Sequence, residues 1–385
     1  MSHTSPPVMQ LQTPVAVRHT GAVRLAHVVN APWVAALRHP WVESIVRLRA
    51  VEDTLASLHP LLSLTEVRAR VVRIVDETAT TKTFVLQPNA LWSGAQAGQF
   101  VRVQTEINGR RVERAYSLSS RPGARRIAIT VKLQERGVMS RHLHHAVQVG
   151  DVLIISQAMG EFTLPPELPA KLLLLSAGSG VTPVMAMLRE LKARRYCGDV
   201  VFLHVCHAPD DLIFAQQLAA IAEEFSELSL VVHYSTTGGR FSPEVLAMEV
   251  PDLAQRSTWM CGPAGFMDAV AAYWNEQGFR VPLFSERFVG APILPSKAPG
   301  TPVQVSFADR GAVFTTRGTE PLLVQAEHAG LSPKHGCRIG ICRSCQCVKT
   351  SGTVENLQTG EVSSAPNELI RLCISTARSD VVLAL

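Results

Sequence analysis

Cys337-Arg338-Ile339-Gly340-Ile341-Cys342-Arg343-Ser344-Cys345, answered downstream by Cys373, is the stretch from which the rest of the chain is read. Its spacing, C-x4-C-x2-C with a fourth cysteine after an intervening segment, is a ligand pattern for a [2Fe–2S] cluster. Two irons need four thiolates, three on one tight loop and one from elsewhere to close the cage. Small residues such as Gly340 and Ser344 let backbone N–H groups turn toward the sulfurs and stabilise the added charge on reduction. Zinc also takes four cysteines, but its ligands come as two C-x2-C knuckles, and here only Cys342 and Cys345 form one. A disulfide framework does not suit a chain of 385 residues with no secretory signal. Cys347 faces the same side as Cys345 on a strand leaving the loop, and reads as a buried neighbour with a substitute ligand as its second reading.

A cluster carries one electron at a time, so the chain should also hold an electron supplier. Its length predicts two to three domains. The net charge of +5 is mild and argues against nucleic acid. Cys197, Cys206 and Cys261 are scattered and read as thiols in a reducing compartment. No apolar run approaches the ~20 residues of a membrane helix. These features predict a cytoplasmic protein, peripheral at a membrane only through a partner.

Residues 1–65 are an extension. The first twenty or so are rich in Ser, Pro and Thr and read as disordered. Apolar residues then recur at helical spacing from Ala31 to Leu64, punctuated by Pro32, Pro40 and Pro60, which predicts two or three short helices. Trp33 and Trp41 read as core, with partner or membrane docking as the other reading.

From Glu66 to residue 166 the period is that of strands: Val67–Val75, Thr83–Leu86, Phe100–Val103 and Ile127–Val131 predict an antiparallel barrel. Within it lies Arg114-Ala115-Tyr116-Ser117-Leu118-Ser119-Ser120. Arg114 offers a fork of donors for a pyrophosphate, and Tyr116 a flat face for a ring. Ser117 offers a hydrogen bond. Gly137-Val138-Met139-Ser140 reads as a glycine turn entering a helix N-terminus, where unpaired N–H groups hold phosphate.

Residues 167–290 alternate strand and helix. Lys171-Leu172-Leu173-Leu174-Leu175-Ser176-Ala177 runs into Gly178-Ser179-Gly180-Val181-Thr182-Pro183, with a helix from Val184 to Ala193. A buried parallel strand, a glycine turn and a helix make the anion-binding geometry of a doubly wound sheet. Strands at Val200–Val205 and Leu228–Tyr234, a helix at Asp211–Phe225 and the run Trp259-Met260-Cys261-Gly262-Pro263 complete the set. Ser235, Thr236, Thr237 and Arg240 follow the strand ending at Tyr234. They suit a 2′-phosphate better than a free ribose diol, so NADPH is favoured and NADH stays open. Residues 291–301 are a Pro-rich linker. In residues 302–385, Val303–Phe307 and Ala312–Thr316 predict a hairpin, and Pro321–Ala329 a helix before the cysteine loop.

The chain beyond residue 65 resembles the ferredoxin–NADP reductase superfamily, which carries R-x-Y-S-x-S, A-G-G/S-x-G-x-T-P and C-G-P-x-x-F-M. Its module order is similar to phthalate dioxygenase reductase-like proteins and to the electron-transfer partners of bacterial acyl-CoA desaturases. The resemblance implies an FAD-binding barrel, with FMN as runner-up, a nicotinamide domain and a β-grasp ferredoxin domain. It places Arg114, Ala115, Tyr116 and Ser117 at the flavin, Ser117 near its N5. Val131 and Lys132 lie on the strand passing the flavin, and Gly137, Val138, Met139 and Ser140 at its phosphates. Gly178, Ser179, Gly180, Thr182, Pro183, Cys261, Gly262 and Pro263 take the nicotinamide half, with Ser117, Thr182 and Cys261 aligning the two rings. Ser235 and Arg240 take the 2′-phosphate, Glu286 and Phe288 the flavin edge, and Cys337, Cys342, Cys345 and Cys373 the iron. Electrons are expected to pass from NADPH through FAD and the cluster to a membrane di-iron fatty-acyl desaturase. The second reading is the reductase of a soluble oxygenase, and a third, poorer one is a redox sensor. The charges of residues 302–385 roughly cancel, unlike the acidic plant ferredoxins, which suits a cluster tethered beside its own flavin.

Overall fold

The computed structural model describes residues 52, 54, 57–107, 109–288, 302–308, 311–335, 338, 340 and 345–384. It divides into two units, Met1–Thr65 and Glu66–Leu385. In the first, the Glu52 carboxylate accepts from the backbone N–H groups of Leu64 at 2.7 Å and Thr65 at 3.0 Å. Trp33, Trp41 and most of the helices expected there lie outside the described residues.

The second unit begins with six strands, β1 (Val67–Thr78), β2 (Thr81–Pro88), β3 (Phe100–Ile107), β4 (Arg110–Ser117), β5 (Ile127–Lys132) and β6 (Val152–Ile155), with helix α1 (Val138–His145) between the last two. Their order, β4-β3-β6-β1-β2-β5, is antiparallel throughout. Alternation along β1 buries Val67, Ala69 and Val71 against Phe84, Leu86, Val101 and Ile129. Each such Val, Leu, Ile or Phe side chain contributes roughly 1.5–3 kcal/mol.

The next sheet is parallel, in the order β11-β10-β7-β8-β9. Its strands are β7 (Lys171–Ala177), β8 (Asp199–Cys206), β9 (Leu228–Tyr234), β10 (Ser257–Cys261) and β11 (Leu283–Glu286). Leu172 to Leu175 are all fully buried because both faces are covered. Leu172 and Leu174 pack under α2 (Val181–Ala193) and α3 (Ala215–Glu224). Leu173 and Leu175 pack on the opposite face under α5 (Pro243–Glu249) and α6 (Ala264–Glu276), with α4 (Ser235–Gly238) a single turn after β9. Strand order reverses between β7 and β10, so the turns leaving these two strands flank a switch point, where open α/β sheets bind ligands.

Two helices differ from expectation. α2 starts three residues early, at Val181, because Thr182 and Pro183 occupy a first turn whose N–H groups need no helical partner. α3 starts late, at Ala215, because Phe214 takes φ +64° and stops the helix from reaching back to Asp211.

The third part holds β12 (Val303–Phe307), β13 (Ala312–Thr316), α7 (Leu322–His328), β14 (Gln346–Ser351), β15 (Val354–Asn356), β16 (Val362–Ser363), β17 (Glu368–Arg371), β18 (Ser375–Ala377) and β19 (Val381–Ala384). A mixed sheet, β13-β12-β19-β14-β17, covers α7, and β16-β15-β18 forms a smaller one. The predicted hairpin is β12–β13. Among the described residues no helix is long and apolar enough to cross a membrane.

Candidate functional site

Where the barrel meets the parallel sheet lies a cleft of about 410 Å³. One wall is the end of β4 (Arg114, Ala115, Tyr116 and Ser117), and the floor is Lys132 with Gly137, Val138, Met139 and Ser140. The other wall is Ser179 and Thr182 from the turn after β7, with Glu286 and Phe288 from the end of β11. Eleven residues expected at the cofactors from sequence thus line one cavity, and so do Glu286 and Phe288. Thr130, Gln134, Arg136 and Arg287 also line it and were not singled out from the sequence. A periodicity reading ends with the strand, and these follow or face inward from strands whose closure it does not see.

The cleft fits a flavin nucleotide. Arg114, Lys132, Arg136 and Arg287 bring four cations to it, the last of them paired with Asp268. α1 begins at Val138 with no side chain capping its first N–H groups, which leaves them for an anion. Ser140 Oγ accepts from the Gln134 N–H at 3.1 Å and donates to the Gly137 carbonyl at 3.2 Å, closing a tight turn. A Cβ on Gly137 would lie 2.8 Å from the Gln134 Cβ, so the turn requires glycine. Burial pushes the Tyr116 phenol up and the Arg114 charge pulls against it, so the ring stays neutral and flat on the wall. Val131, by contrast, is a fully buried core residue of β5, with its carbonyl 2.8 Å from His144 Nε2.

A row of polar side chains crosses the switch point. Glu286, Cys261, Ser176 and His204 are register partners on β11, β10, β7 and β8. Ser117 Oγ donates to Glu286 Oε2 at 3.3 Å, joining the barrel to this row across 169 positions of sequence. Burial lifts the Glu286 carboxyl to about 7, and the Ser117 hydrogen bond opposes it only in part. Cys261 is fully buried and its thiol pushed well up, by burial first and then by Glu286. Ser176 Oγ lies 2.8 Å from His204 Nδ1, and burial alone lowers that imidazole to about 4. The His204 Nε2 has no hydrogen-bond partner among the described residues.

Gly178, Gly180, Pro183, Cys261, Gly262 and Pro263 do not line the cleft but lie where the chain leaves β7 and β10, on either side of the switch point. Gly178 takes φ +53°, which favours glycine. A Cβ on Gly180 would run into the Cys261 carbonyl and lie 2.7 Å from the Gly262 nitrogen, so the two turns touch backbone to backbone. Thr182 Oγ1 donates to the Ser179 carbonyl at 3.1 Å. Ser235 and Arg240 lie away from the cleft, past the end of the edge strand β9. His207 joins Ser235 there, its Nδ1 3.2 Å from the hydroxyl, a neighbour only the pairing of β8 with β9 reveals.

Of the four cysteines expected to hold the cluster, Cys337 and Cys342 lie outside the described residues. Cys345 and Cys373 are buried in one core, and the Gly340 N–H donates to Cys373 Sγ at 3.2 Å. That is the contact a thiolate ligand needs from its loop. Gly340 has φ +81°, and a Cβ there would lie 2.9 Å from Ile374 Cδ1. Arg338 grips Glu327 of α7 through both guanidinium nitrogens, at 2.9 and 2.5 Å, and Arg371 donates to the Gly340 carbonyl. Cys347 is a buried β14 residue opposite Ile370. When bound, a flavin takes two electrons from a reduced nicotinamide and releases them singly, and a [2Fe–2S] cluster carries one at a time.

Three family models match in sequence order. They are an oxidoreductase FAD-binding domain over residues 69–164, an oxidoreductase NAD-binding domain over 174–272, and a 2Fe-2S iron-sulfur cluster binding domain over 307–378. The chain is 34% identical over 365 residues to an NADPH oxidoreductase of Mycobacterium tuberculosis (strain ATCC 25618 / H37Rv), covering 91% of this chain and 95% of the relative. It is 29% identical over 346 residues to a glycine betaine monooxygenase reductase subunit of Pseudomonas aeruginosa (strain UCBPP-PA14), covering 82% and 94%. The solved structure of phthalate dioxygenase reductase shares the fold, with a TM-score of 0.57 at 23% identity, over 83% of this chain and 98% of that one. The three cofactor domains expected from the sequence are present in the expected order.

Proposed function

The chain belongs to the ferredoxin–NADP reductase superfamily, as a reductase with flavin, nicotinamide and [2Fe–2S] domains in one polypeptide, and on that premise we propose that it delivers electrons from NADPH to a terminal oxygenase. The observation that carries the reading is the single cleft in which Tyr116 and Ser117 of the barrel face Ser179 and Thr182 of the nicotinamide domain. In this reading Arg114, Lys132 and the first N–H groups of α1 hold the pyrophosphate of FAD. Tyr116 packs on its ring system, and Ser117 bonds its reacting edge. Thr182, with the turn from Gly178 to Pro183, seats the nicotinamide ribose. Cys261, Gly262 and Pro263 leave room for the ring itself. Ser235 and Arg240 take the 2′-phosphate, since no carboxylate stands between residues 235 and 240. Cys337, Cys342, Cys345 and Cys373 hold the cluster.

An oxygenase acceptor is favoured over the membrane desaturase expected from sequence because the glycine betaine relative is the reductase subunit of a monooxygenase. The test measures NADPH oxidation first with an artificial dye, then with purified oxygenase components and with desaturase-bearing membranes given stearoyl-CoA. Cys342→Ser is the control in each arm. Turnover of an oxygenase that needs both the protein and Cys342 supports the reading. Turnover only with the membranes moves the acceptor to the desaturase. No NADPH oxidation with the dye removes the reductase reading altogether.

A further inference from the structure

Arg189 belongs to neither wall of the cleft, yet it touches structure behind both. It lies on α2, seven residues and so about two turns beyond Thr182. Its guanidinium donates through Nη1 to the carbonyl of Ser119 and through Nη2 to Oε1 of Gln217 on α3. Its Cζ stands 5.1 Å from the centre of the Phe214 ring. Phe214 is the buried residue held at φ +64°, a conformation that an L side chain adopts only where its surroundings impose it. Among the described residues no carboxylate forms an ion pair with this guanidinium. Burial pulls it down to about 10, and the more distant Glu77 pushes back. A cation kept there without an ion pair is unfavourable for stability.

The carbonyl it holds is two residues past Ser117. Ser119 is fully buried, and its hydroxyl lies 3.0 Å from that of Thr130, which lines the cleft. Thr130 is 2.8 Å from Thr83, and Thr83 donates to Glu77 at 2.7 Å. One side chain therefore ties α2, which carries Thr182 in its first turn, to the strand end that carries Ser117 and to the hydroxyl row beneath it. We infer that Arg189 is a positioning residue, which sets the barrel wall against the nicotinamide wall so that the two bound rings meet at reacting distance. The inference rests on the reductase reading of the cleft and is independent of the acceptor.

The test compares Arg189→Met, Arg189→Lys and Gln217→Leu in the full, cofactor-loaded chain. Four quantities are measured: the charge-transfer absorbance on titration with NADP⁺, the anaerobic rate of flavin reduction by NADPH, amide exchange at residues 117–120, and the melting midpoint. Misplacement by 1 Å costs up to about a hundredfold in rate, so Arg189→Met should lose at least about tenfold in the reduction rate at saturation. Its NADP⁺ affinity should be unchanged, its charge-transfer band weaker and its exchange at 117–120 faster. Arg189→Lys keeps the charge but not the fork, and should recover part of the rate. Gln217→Leu removes one anchor and should slow reduction mildly. If Arg189→Met does not fold, the other two decide, and both must slow reduction without weakening NADP⁺ binding. Folded variants with a normal rate and a normal charge-transfer band, losing only melting midpoint, would overturn the inference. So would weaker NADP⁺ binding with an unchanged rate at saturation. The readout stops at the flavin, so a wrong acceptor leaves the result intact.

Discussion

Replacing Glu286 by Gln removes one proton-binding group while keeping the side chain's shape and its acceptor for the Ser117 hydroxyl. The native carboxyl is raised from 4.5 to about 7, chiefly by burial. A shift of that size corresponds to about 3 kcal/mol of preference for the neutral form. The folded state thus binds this proton more tightly than the unfolded chain does. The resulting stability is complete below pH 4.5, declines as pH rises toward 7, and is absent above. At pH 8.5 the native protein carries a charged Glu286 beside the buried Cys261, and Glu286→Gln should be more stable by up to about 3 kcal/mol. At pH 4.5 the two should be alike. Urea unfolding of the flavin-loaded proteins, followed by flavin release across this range, measures the difference. Midpoints that run parallel for the two proteins from pH 4.5 to 8.5 would falsify the assignment, because Glu286 would then titrate alike in the folded and unfolded states.

Gly180→Ala forces a Cβ against backbone on the Cys261–Gly262 turn, where no side chain can yield. It should cost roughly 1–3 kcal/mol in thermal unfolding and raise the KM for NADPH. Ser235→Ala combined with Arg240→Ala should raise the KM for NADPH by about tenfold, the worth of one charge-assisted contact, and leave NADH oxidation unaltered. Equal loss with both nucleotides would show that the segment after β9 does not read the 2′-phosphate. Cys373→Ser removes the thiolate that Gly340 addresses, so the purified protein should lose its cluster absorbance and still reduce a two-electron dye from NADPH.

The parts of this protein legible in sequence are those in which one short run makes a whole local geometry. Arg114–Ser117, Gly137–Ser140, Gly178–Pro183, Cys261–Pro263 and the cysteine loop each combine glycine or small residues with hydroxyl, charged or thiol side chains. A glycine at φ +53° or +81° announces a tight turn in the sequence itself. Strand alternation likewise revealed the barrel, because one buried face imposes period two. What the sequence left unread are pairings between residues far apart. Glu286 and Ser117 are 169 positions apart and meet only because β11 docks beside β10 while β4 ends at the same cleft. Nothing local in S-E-R-F marks a carboxyl raised to about 7, since its cause is burial by the whole assembly. Arg189, one of two basic residues on a mostly apolar helix, reads as a surface charge until α2 is laid against Ser119 and Phe214. The pleat of β5 is another such case, since it turns the Val131 side chain into the core while Thr130 and Lys132 on either side line the cleft. Motif identity is a property of neighbouring residues and survives in the linear chain. Burial, charge and pairing depend on the distances folding creates, and those the tertiary structure alone decided.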